Sequence, residues 1–313
     1  MNFQQLRYVR ETVRRNLNIT EAANALFTSQ PGVSKQIKEL EEELGVKIFE
    51  RRGRRFVGLT EPGKAVVKIV ERVLQETENL KRVGREYAEQ DAGALTVATT
   101  HTQARYALPR VVGEFRGRYP KVRLSLLQGS PLDIAQLVSR GDADVAIATE
   151  SLDHFPELLA LPGYQWTHCV VVPPKHPLVK VARLSLDDLA RHPIITYSPE
   201  FTGRAHINEA FTARGLAIDV VLTAIDSDVI KTYAELGLGI GIIASMAFDA
   251  ERDRGLRALD ASHLFKTNTT RVAIRRGAYL RGFAYEFIEL FAPALSRAAI
   301  ERAAAGGGES FEI

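Results

Sequence analysis

The sequence predicts an α/β protein with an all-helical head, a hairpin behind it, and two similar α/β lobes making up the rest. Three observations carry that reading. Two short helical patterns flank a tight break between Ile19 and Leu44, a long amphipathic stretch runs from Pro62 to about Glu89, and strand-like apolar runs alternate with helical ones from Ala94 onward. With 313 residues, 45% hydrophobic and 25% charged, the chain has an ordinary globular composition and room for two or three compact units.

Residues 1–17 form a first helical pattern, with Phe3, Leu6, Val9 and Val13 on its apolar side. The second opens with Thr20 as N-cap and carries Ala22, Ala23 and Leu26 on one side, small enough for another helix to approach closely. Phe27, Thr28 and Ser29 make the break. Thr28 or Ser29 caps the third helix, and Pro31 fits a first turn in which a missing N–H costs nothing. Val33, Ile37, Leu40 and Leu44 then recur at helical spacing as a core stripe. The opposite face presents Gln30, Pro31, Ser34, Lys35 and Lys38, groups that would meet base edges and phosphates if the helix entered a groove. On an isolated helix such a face is usually plain solvated surface. Here two apolar runs follow, Val46–Phe49 and Phe56–Leu59, flanking RRGRR; Arg51, Arg52, Arg54 and Arg55 would then lie beside a nucleic-acid backbone. Together these features make an N-terminal winged helix-turn-helix over residues 1–60.

Residues 61–91 read as a linker and dimerisation helix, with Ala65, Val66, Ile69, Val70, Val73, Leu74, Leu80 and Val83 at helical spacing. On the end of a small domain such a stripe cannot be buried alone, so pairing with the same helix of another subunit is expected. EQDAG at 89–93 marks the boundary. Residues 92–313 then divide into lobe I, about 92–163 and 268–300, lobe II, about 164–267, and a patternless tail, 301–313, expected to fray. In lobe I the strands are ALTVATT, KVRLSLLQG and ADVAIAT, with helices in TQARYALPRVVGEFRGRYP and PLDIAQLVSRG. Lobe II offers HCVVVP, PIITYS, DVVLTAI and GIGIIAS, with helices at about 204–214 and 228–236. The chain then returns through TTRVAIRR to a last helix at about 283–295. Short connections imply parallel sheets with right-handed crossovers, and two crossings between lobes give a two-lobed, periplasmic-binding-protein-like sensor.

In open parallel sheets, ligands gather outside the carboxyl ends of strands, against helix N-termini. Thr99, Thr100, Thr102 and Gln103 follow the first strand, Gln128, Gly129 and Ser130 the second, and Thr149 the third; Ser198 and Phe201-Thr202-Gly203 stand at the matching place in lobe II. Each alone is as readily a helix cap. Converging on one crevice, these neutral donors suit a small anion. Nothing points to an enzyme, a metal or a cofactor. GLGIG at 237–241 follows a helix and leads into a strand, the wrong order for a dinucleotide loop; the seven histidines lack ligand spacing; Asp187-Asp188 reads as a helix start. Cys169, the single cysteine, sits in HCVVV as a buried core thiol.

The run AANALFTSQPGVSKQIKELEEELGVKIFERRGRRFVGLTEPG, with its Ser-Gln-Pro, Ser-Lys-Gln-Ile, Leu-Glu and Leu-Thr-x-x-Gly elements, resembles the N-terminal domain of LysR-type transcriptional regulators. ATTHTQARYALP, QGSP, ADVAIATE, FTGR and DVIKTYAELGLGIGIIASMA resemble the cysteine-regulon activator (CysB-like) branch, so the likeness covers nearly the whole chain. The resemblance implies a dimer through the linker helix, a tetramer through the sensor domains, and an effector site at Thr100, Thr102, Gln103, Thr149 and Thr202, where sulfate stands in for acetylserine-type inducers. DNA contacts are expected from Thr28, Gln30, Pro31, Ser34, Lys35, Lys38, Arg51, Arg52 and Arg54. His101 is open between touching the ligand and facing solvent or the helix, and Arg204 between neutralising an anion and orienting its loop. The implied function is regulation of sulfur assimilation and cysteine-biosynthesis genes in response to acetylserine, sulfate or thiosulfate. Two alternatives stand beside it: a LysR-type regulator of another pathway with a different small carboxylate, and a solute-binding α/β protein with a helical appendage.

Charge distribution agrees with double-stranded promoter DNA as a partner. Residues 1–91 hold 17 Lys or Arg and 14 Asp or Glu, a surplus of 17 − 14 = +3, which equals the net charge of the chain. That surplus is modest, so affinity is expected to need two or more heads acting together. The N-terminus has no signal-peptide core and no apolar run spans a bilayer, so a cytoplasmic protein with no membrane partner is expected.

Overall fold

Asn2 and Gln5 start the first helix by exchanging bonds: the Asn2 side chain accepts from the Gln5 N–H at 2.9 Å, and the Gln5 side chain accepts from the Asn2 N–H at 3.0 Å. The computed structural model describes residues 1–53, 55–88, 91–149 and 151–306, with only the backbone of Ser151 and Thr202. The chain forms two compact units, Met1–Ala88 and Glu89–Ile313.

The first unit contains α1 (Phe3–Arg14), α2 (Ile19–Ala25), α3 (Gln30–Leu44), a hairpin of β1 (Phe49–Arg52) and β2 (Arg55–Leu59), and the long α4 (Glu61–Ala88). Leu6, Val9, Ile19, Val33, Ile37, Leu40, Ile48, Phe49 and Phe56 form its core, closed by Val70 and Leu74 of α4. Two local expectations change. Asn18 rather than Thr20 caps α2, its oxygen accepting from the Thr20 and Glu21 N–H groups at 3.1 and 3.2 Å. The left-handed turn at Asn16 and Leu17 brings the chain back to helical geometry before Thr20. Phe3 is 55% exposed, because the cap exchange turns Gln5 inward and the buried stripe of α1 becomes Gln5, Leu6, Tyr8, Val9 and Thr12.

In the second unit, lobe I is one five-stranded sheet in the order β4-β3-β5-β12-β6, built from β3 (Ala92–Thr99), β4 (Lys121–Gln128), β5 (Val145–Thr149), β6 (Leu158–Trp166) and β12 (Asn268–Arg275). Its helix α5 (Leu108–Arg118) packs on one face with α10 (Gly282–Phe291) and α11 (Arg297–Ala304), through Phe115, Phe287 and Ile300; α6 (Pro131–Arg140) covers the other through Ile134 and Val138. Lobe II is a second five-stranded sheet in the order β11-β7-β10-β8-β9, from β7 (His168–Val172), β8 (Ile194–Tyr197), β9 (Val220–Ala224), β10 (Ile240–Ala244) and β11 (Arg257–Asp260). Helices α7 (Leu186–Ala190) and α8 (Thr202–Ala213) lie on one face and α9 (Ser227–Glu235) on the other.

The expectation of wholly parallel sheets needs correction. Pairs β3–β4, β3–β5, β8–β9 and β10–β8 are parallel, but β12 runs antiparallel to β5 and β6, and β7 antiparallel to β10 and β11. The strands that cross between lobes must enter each sheet from the hinge end, which reverses them. β6 continues to Trp166, past the lobe limit expected at 163, because an edge strand tolerates Pro162 and a register shift absorbs it. The last helix ends at Phe291, and α11 follows with Ala299, Ile300 and Ala303 buried, where a patternless tail was expected from 301. The rest of that tail, 307–313, lies outside the described residues. Among the described residues no helix is long and apolar enough to cross a membrane.

Candidate DNA-reading head and effector cleft

Ser29 begins α3, its hydroxyl accepting from the Gly32 N–H at 3.3 Å, with Pro31 in the first turn. Burial of Val33, Ile37 and Leu40 fixes which side faces out: Pro31, Lys35 and Lys38 are exposed, and Thr28, Gln30 and Ser34 partly so. Lys35 pairs with Glu39 at 3.8 Å and Lys38 with Glu42 at 3.4 Å. Exposed pairs of this kind are worth only about 0.3–0.5 kcal/mol and yield readily to a phosphate.

One carboxylate sets the hairpin against α3. Glu41, whose side chain is wholly buried, accepts from the backbone N–H of Ile48 at 2.9 Å and of Phe49 at 3.2 Å, and lies 3.5 Å from Lys47 Nζ and 3.4 Å from Arg51 Nη2. Those amides are therefore not free to pair as a strand at 46–48, and β1 begins at Phe49 rather than Val46. Arg51 also covers the Phe56 ring at 4.7 Å, and Phe56 stacks on Phe49 with centroids 4.4 Å apart. Arg51 is thus turned toward the hairpin root. Arg52 and Arg55, paired across the two strands, are exposed and make no ion pair among the described residues; Arg54 lies outside them. Arg55 borders a groove with Gln30 and Thr20.

The junction to α4 explains the Leu-Thr-x-x-Gly element. Thr60 Oγ1 donates to the Lys47 carbonyl and accepts from the Gly63 N–H at 2.9 Å. A Cβ on Gly63 would stand 2.0 Å from the Ile48 carbonyl oxygen, so the first turn of α4 can sit on the hairpin root only with glycine there.

In the second unit, Thr100, Thr102, Gln103 and Thr149 of lobe I line one cleft with Trp166 and with Tyr197, Phe201 and Gly203 of lobe II. The side chain of Thr202 lies outside the described residues. Phe201, the N-cap of α8, makes no side-chain capping bond, and in the first turn the Arg204 N–H is taken by the Phe201 carbonyl at 3.0 Å. Gly203 lets α8 approach closely: a Cβ there would be 3.0 Å from His168 Nε2 and 3.2 Å from the Trp166 ring. Gln103 is nearly buried and already tied on both ends, donating to Thr270 Oγ1 at 3.1 Å and accepting from Tyr164 Oη at 2.5 Å. Thr99 turns away, its hydroxyl donating to the Ile147 carbonyl at 2.9 Å. Ser130 is spent on capping α6.

No charged side chain stands among the described residues that line this cleft. Arg204, from the FTGR segment, donates to Asn208 at 2.7 Å and to the Tyr197 carbonyl at 2.9 Å, and burial holds its pKa below the usual arginine value. Its geometry is that of a brace for the loop. Burial pushes the hydroxyls of Tyr197 and Tyr164 up to about 12 and drops His168 to about 3, so all three stay neutral near pH 7. Cys169 is buried, and burial pushes its thiol up to about 12, an inert core thiol.

The sequence did not reveal a polar bridge beside the cleft. Tyr106 Oη donates to Asp228 at 2.7 Å and accepts from Lys231 at 2.9 Å, while Arg105 pairs with Asp228 at 2.7 Å. His101 joins its edge, 3.9 Å from Asp228, and with Asp226 these offer donor atoms within 4.8 Å of one another. Their separation in sequence hid this grouping from a search for ligand spacing. Asp228 is already neutralised by Arg105 and Lys231.

Comparison with known proteins then places the chain. Residues 3–64 match the family described as "Bacterial regulatory helix-turn-helix protein, lysR family", and residues 88–296 match "LysR substrate binding domain". Among curated relatives, the HTH-type transcriptional regulator SsuR of Burkholderia cenocepacia is 61% identical over 96% of this chain and 97% of its own length. The regulator CysB of the same organism is 58% identical over the whole of both. A crystal structure of the cofactor-binding domain of the Cbl transcriptional regulator is 46% identical, with a TM-score of 0.65, covering 67% of this chain and 92% of that one. A helix-turn-helix head and a two-sheet effector-binding domain on one chain, matched over this extent, make it a member of the LysR family of transcriptional regulators, in the CysB-like branch, and not an enzyme.

Proposed function

We propose that this regulator answers to a small sulfur-linked anion, an acetylserine-type inducer with sulfate or thiosulfate competing for the same cleft, and controls genes of sulfur assimilation and cysteine biosynthesis. The observation that carries the reading is the chemistry of the cleft. Among the described residues its polar lining includes hydroxyls and one amide and no cation, with the start of α8 opposite, which suits a compact anion held by neutral donors and backbone N–H groups. The names of the relatives SsuR and CysB support the sulfur assignment. The test is calorimetric titration of the Thr102→Ala protein with O-acetylserine, N-acetylserine and sulfate. Loss of one hydrogen bond to a charged ligand is expected to cost ~1.5–3 kcal/mol, or about one to two decades in affinity, with DNA binding retained. Unchanged affinity for all three ligands would remove Thr102 from the site.

The head is proposed to read a pseudo-palindromic promoter site, with Gln30, Ser34 and Lys35 near bases, Lys38 and Arg52 near phosphates, and Arg55 joining them from the groove beside Gln30. Thr28, Pro31 and Arg54 keep the contact roles expected from the sequence, whereas Arg51 is reassigned mainly to holding the hairpin. Pairing of heads is proposed through α4, whose Ile69, Leu80 and Tyr87 are 52%, 75% and 80% exposed, an apolar face fit for a second copy. A tetramer would use the apolar edge of lobe II at Val221, Ile225 and Leu236. In one binding experiment, Arg52→Ala is expected to weaken all sequences alike and flatten the salt slope by roughly one unit. Gln30→Ala should relax preference at one position by ~1–3 kcal/mol, and a single half-site should bind far more weakly than the pair. Equal loss on specific and random DNA for the Gln30 variant would count against its base contact.

A further inference from the structure

Five residues at the start of the α5 region, Gln103–Ala107, form a π-helical turn, a geometry rare in proteins and concentrated at functional sites. Gln103, at one end, lines the cleft. Tyr106, three residues on, leaves lobe I altogether: its ring packs against the core of lobe II, and its hydroxyl sits between two charges of α9, donating to Asp228 at 2.7 Å and accepting from Lys231 at 2.9 Å. Lys231 is itself 92% buried by side chain and fixed by Asp253 and the Ala247 carbonyl, each at 2.9 Å, so the lobe II half of this bridge is rigid. Arg105 adds a second tie to Asp228 from the same turn, at 2.7 Å.

We infer that Tyr106 is a positioning residue for effector binding: its hydroxyl, clamped between Asp228 and Lys231, holds lobe I against lobe II and so sets the width of the cleft that Gln103 lines. A ligand that pulls on Thr102 or Gln103 pulls on the same turn, so cleft occupancy and the lobe contact are one mechanical event. A cleft held at binding width favours every ligand equally, because an opened cleft binds in proportion to the fraction of molecules that still have it closed. This separates Tyr106 from residues that touch the ligand, whose loss discriminates between ligands. The affinity part of the inference rests on the cleft being the effector site; the part about width does not.

The experiment uses the full chain and its single tryptophan, Trp166, which lines the cleft and reports on it by intrinsic fluorescence. Acrylamide quenching of the ligand-free protein is measured for wild type, Tyr106→Phe and Asp228→Asn, followed by sulfate titration of each. Tyr106→Phe keeps the ring and its packing and removes only the hydroxyl. Quenching is expected to rise for Tyr106→Phe and Asp228→Asn and to fall back when sulfate saturates. Sulfate affinity of the two bridge variants is expected to fall about tenfold, and by the same factor for acetylserine. Wild-type quenching in both bridge variants would overturn the inference whatever sulfate does. Raised quenching in a protein that binds no sulfate would support the bridge while overturning the sulfate assignment. If either bridge variant fails to fold, by near-ultraviolet circular dichroism, the other decides.

Discussion

Glu41→Ala is expected to destabilise the DNA-reading head by ~3–5 kcal/mol, the sum for two buried backbone donors left without an acceptor and the loss of partly exposed ion pairs. The loss has three sources on one carboxylate: the Ile48 and Phe49 N–H groups lose their acceptor, and the Arg51 guanidinium is left against Phe56 with no counter-charge. Buried donors without acceptors cost ~1–3 kcal/mol each, so the two amides alone account for much of it. Hydrogen exchange should show protection falling across residues 1–74, while protection across the second unit stays unchanged. A head whose stability moves by less than ~1 kcal/mol, below the scale for even one unsatisfied buried donor, would mean that water replaces the carboxylate and that Glu41 does not hold the hairpin.

Gly63→Ala is expected to cost at least the upper end of the ~1–3 kcal/mol scale for overpacking, because the clash at 2.0 Å is with the backbone carbonyl of Ile48 and cannot be relieved by turning a side chain. The first turn of α4 must lift off the hairpin root, breaking the Thr60 bonds with it. Gly84→Ala, in the same helix with open space around it, supplies the contrast: it is expected to be neutral or to stabilise by up to ~1 kcal/mol through helix propensity. Thermal unfolding of the two variants side by side checks both, and similar midpoints would refute the packing account.

The reading helix was legible because its signals are local. Ser29, Pro31, Val33, Ile37 and Leu40 act within about three turns of one another, and the structure keeps them, whereas Leu44, expected in the same core stripe, lies at the last turn and is 41% exposed. The alternation of the lobes was legible for the same reason. What escaped depends on contacts far apart in sequence. Lobe I was expected to end at about 163, and only pairing with β12 carries the edge strand through Pro162 to Trp166. In α11 three buried small or apolar residues are too few to announce a helix without the lobe I core beneath them. Of the cleft, the threonines could be suspected from their place after strands. That both ends of Gln103 are held by Thr270 and Tyr164, or that Tyr106 reaches Asp228, follows from pairings of 61 to 167 residues and left no pattern to read.

The position of β12 between β5 and β6 also bears on how the chain is made. Asn268 pairs with Trp166, about a hundred residues upstream, so during synthesis β5 and β6 must wait with unpaired edges until the ribosome has delivered the strand that joins them. At ~5–20 residues per second that wait is on the order of five to twenty seconds. Lobe II, whose strands β7 to β11 are contiguous in sequence, can complete itself in the interval and will emerge as a finished body while lobe I is still open. The newborn chain therefore carries a temporary pair of sticky strands, Val145–Thr149 and Leu158–Trp166, next to a lobe that is already folded. Crowded polysomes translating this message are where chaperones would be needed most.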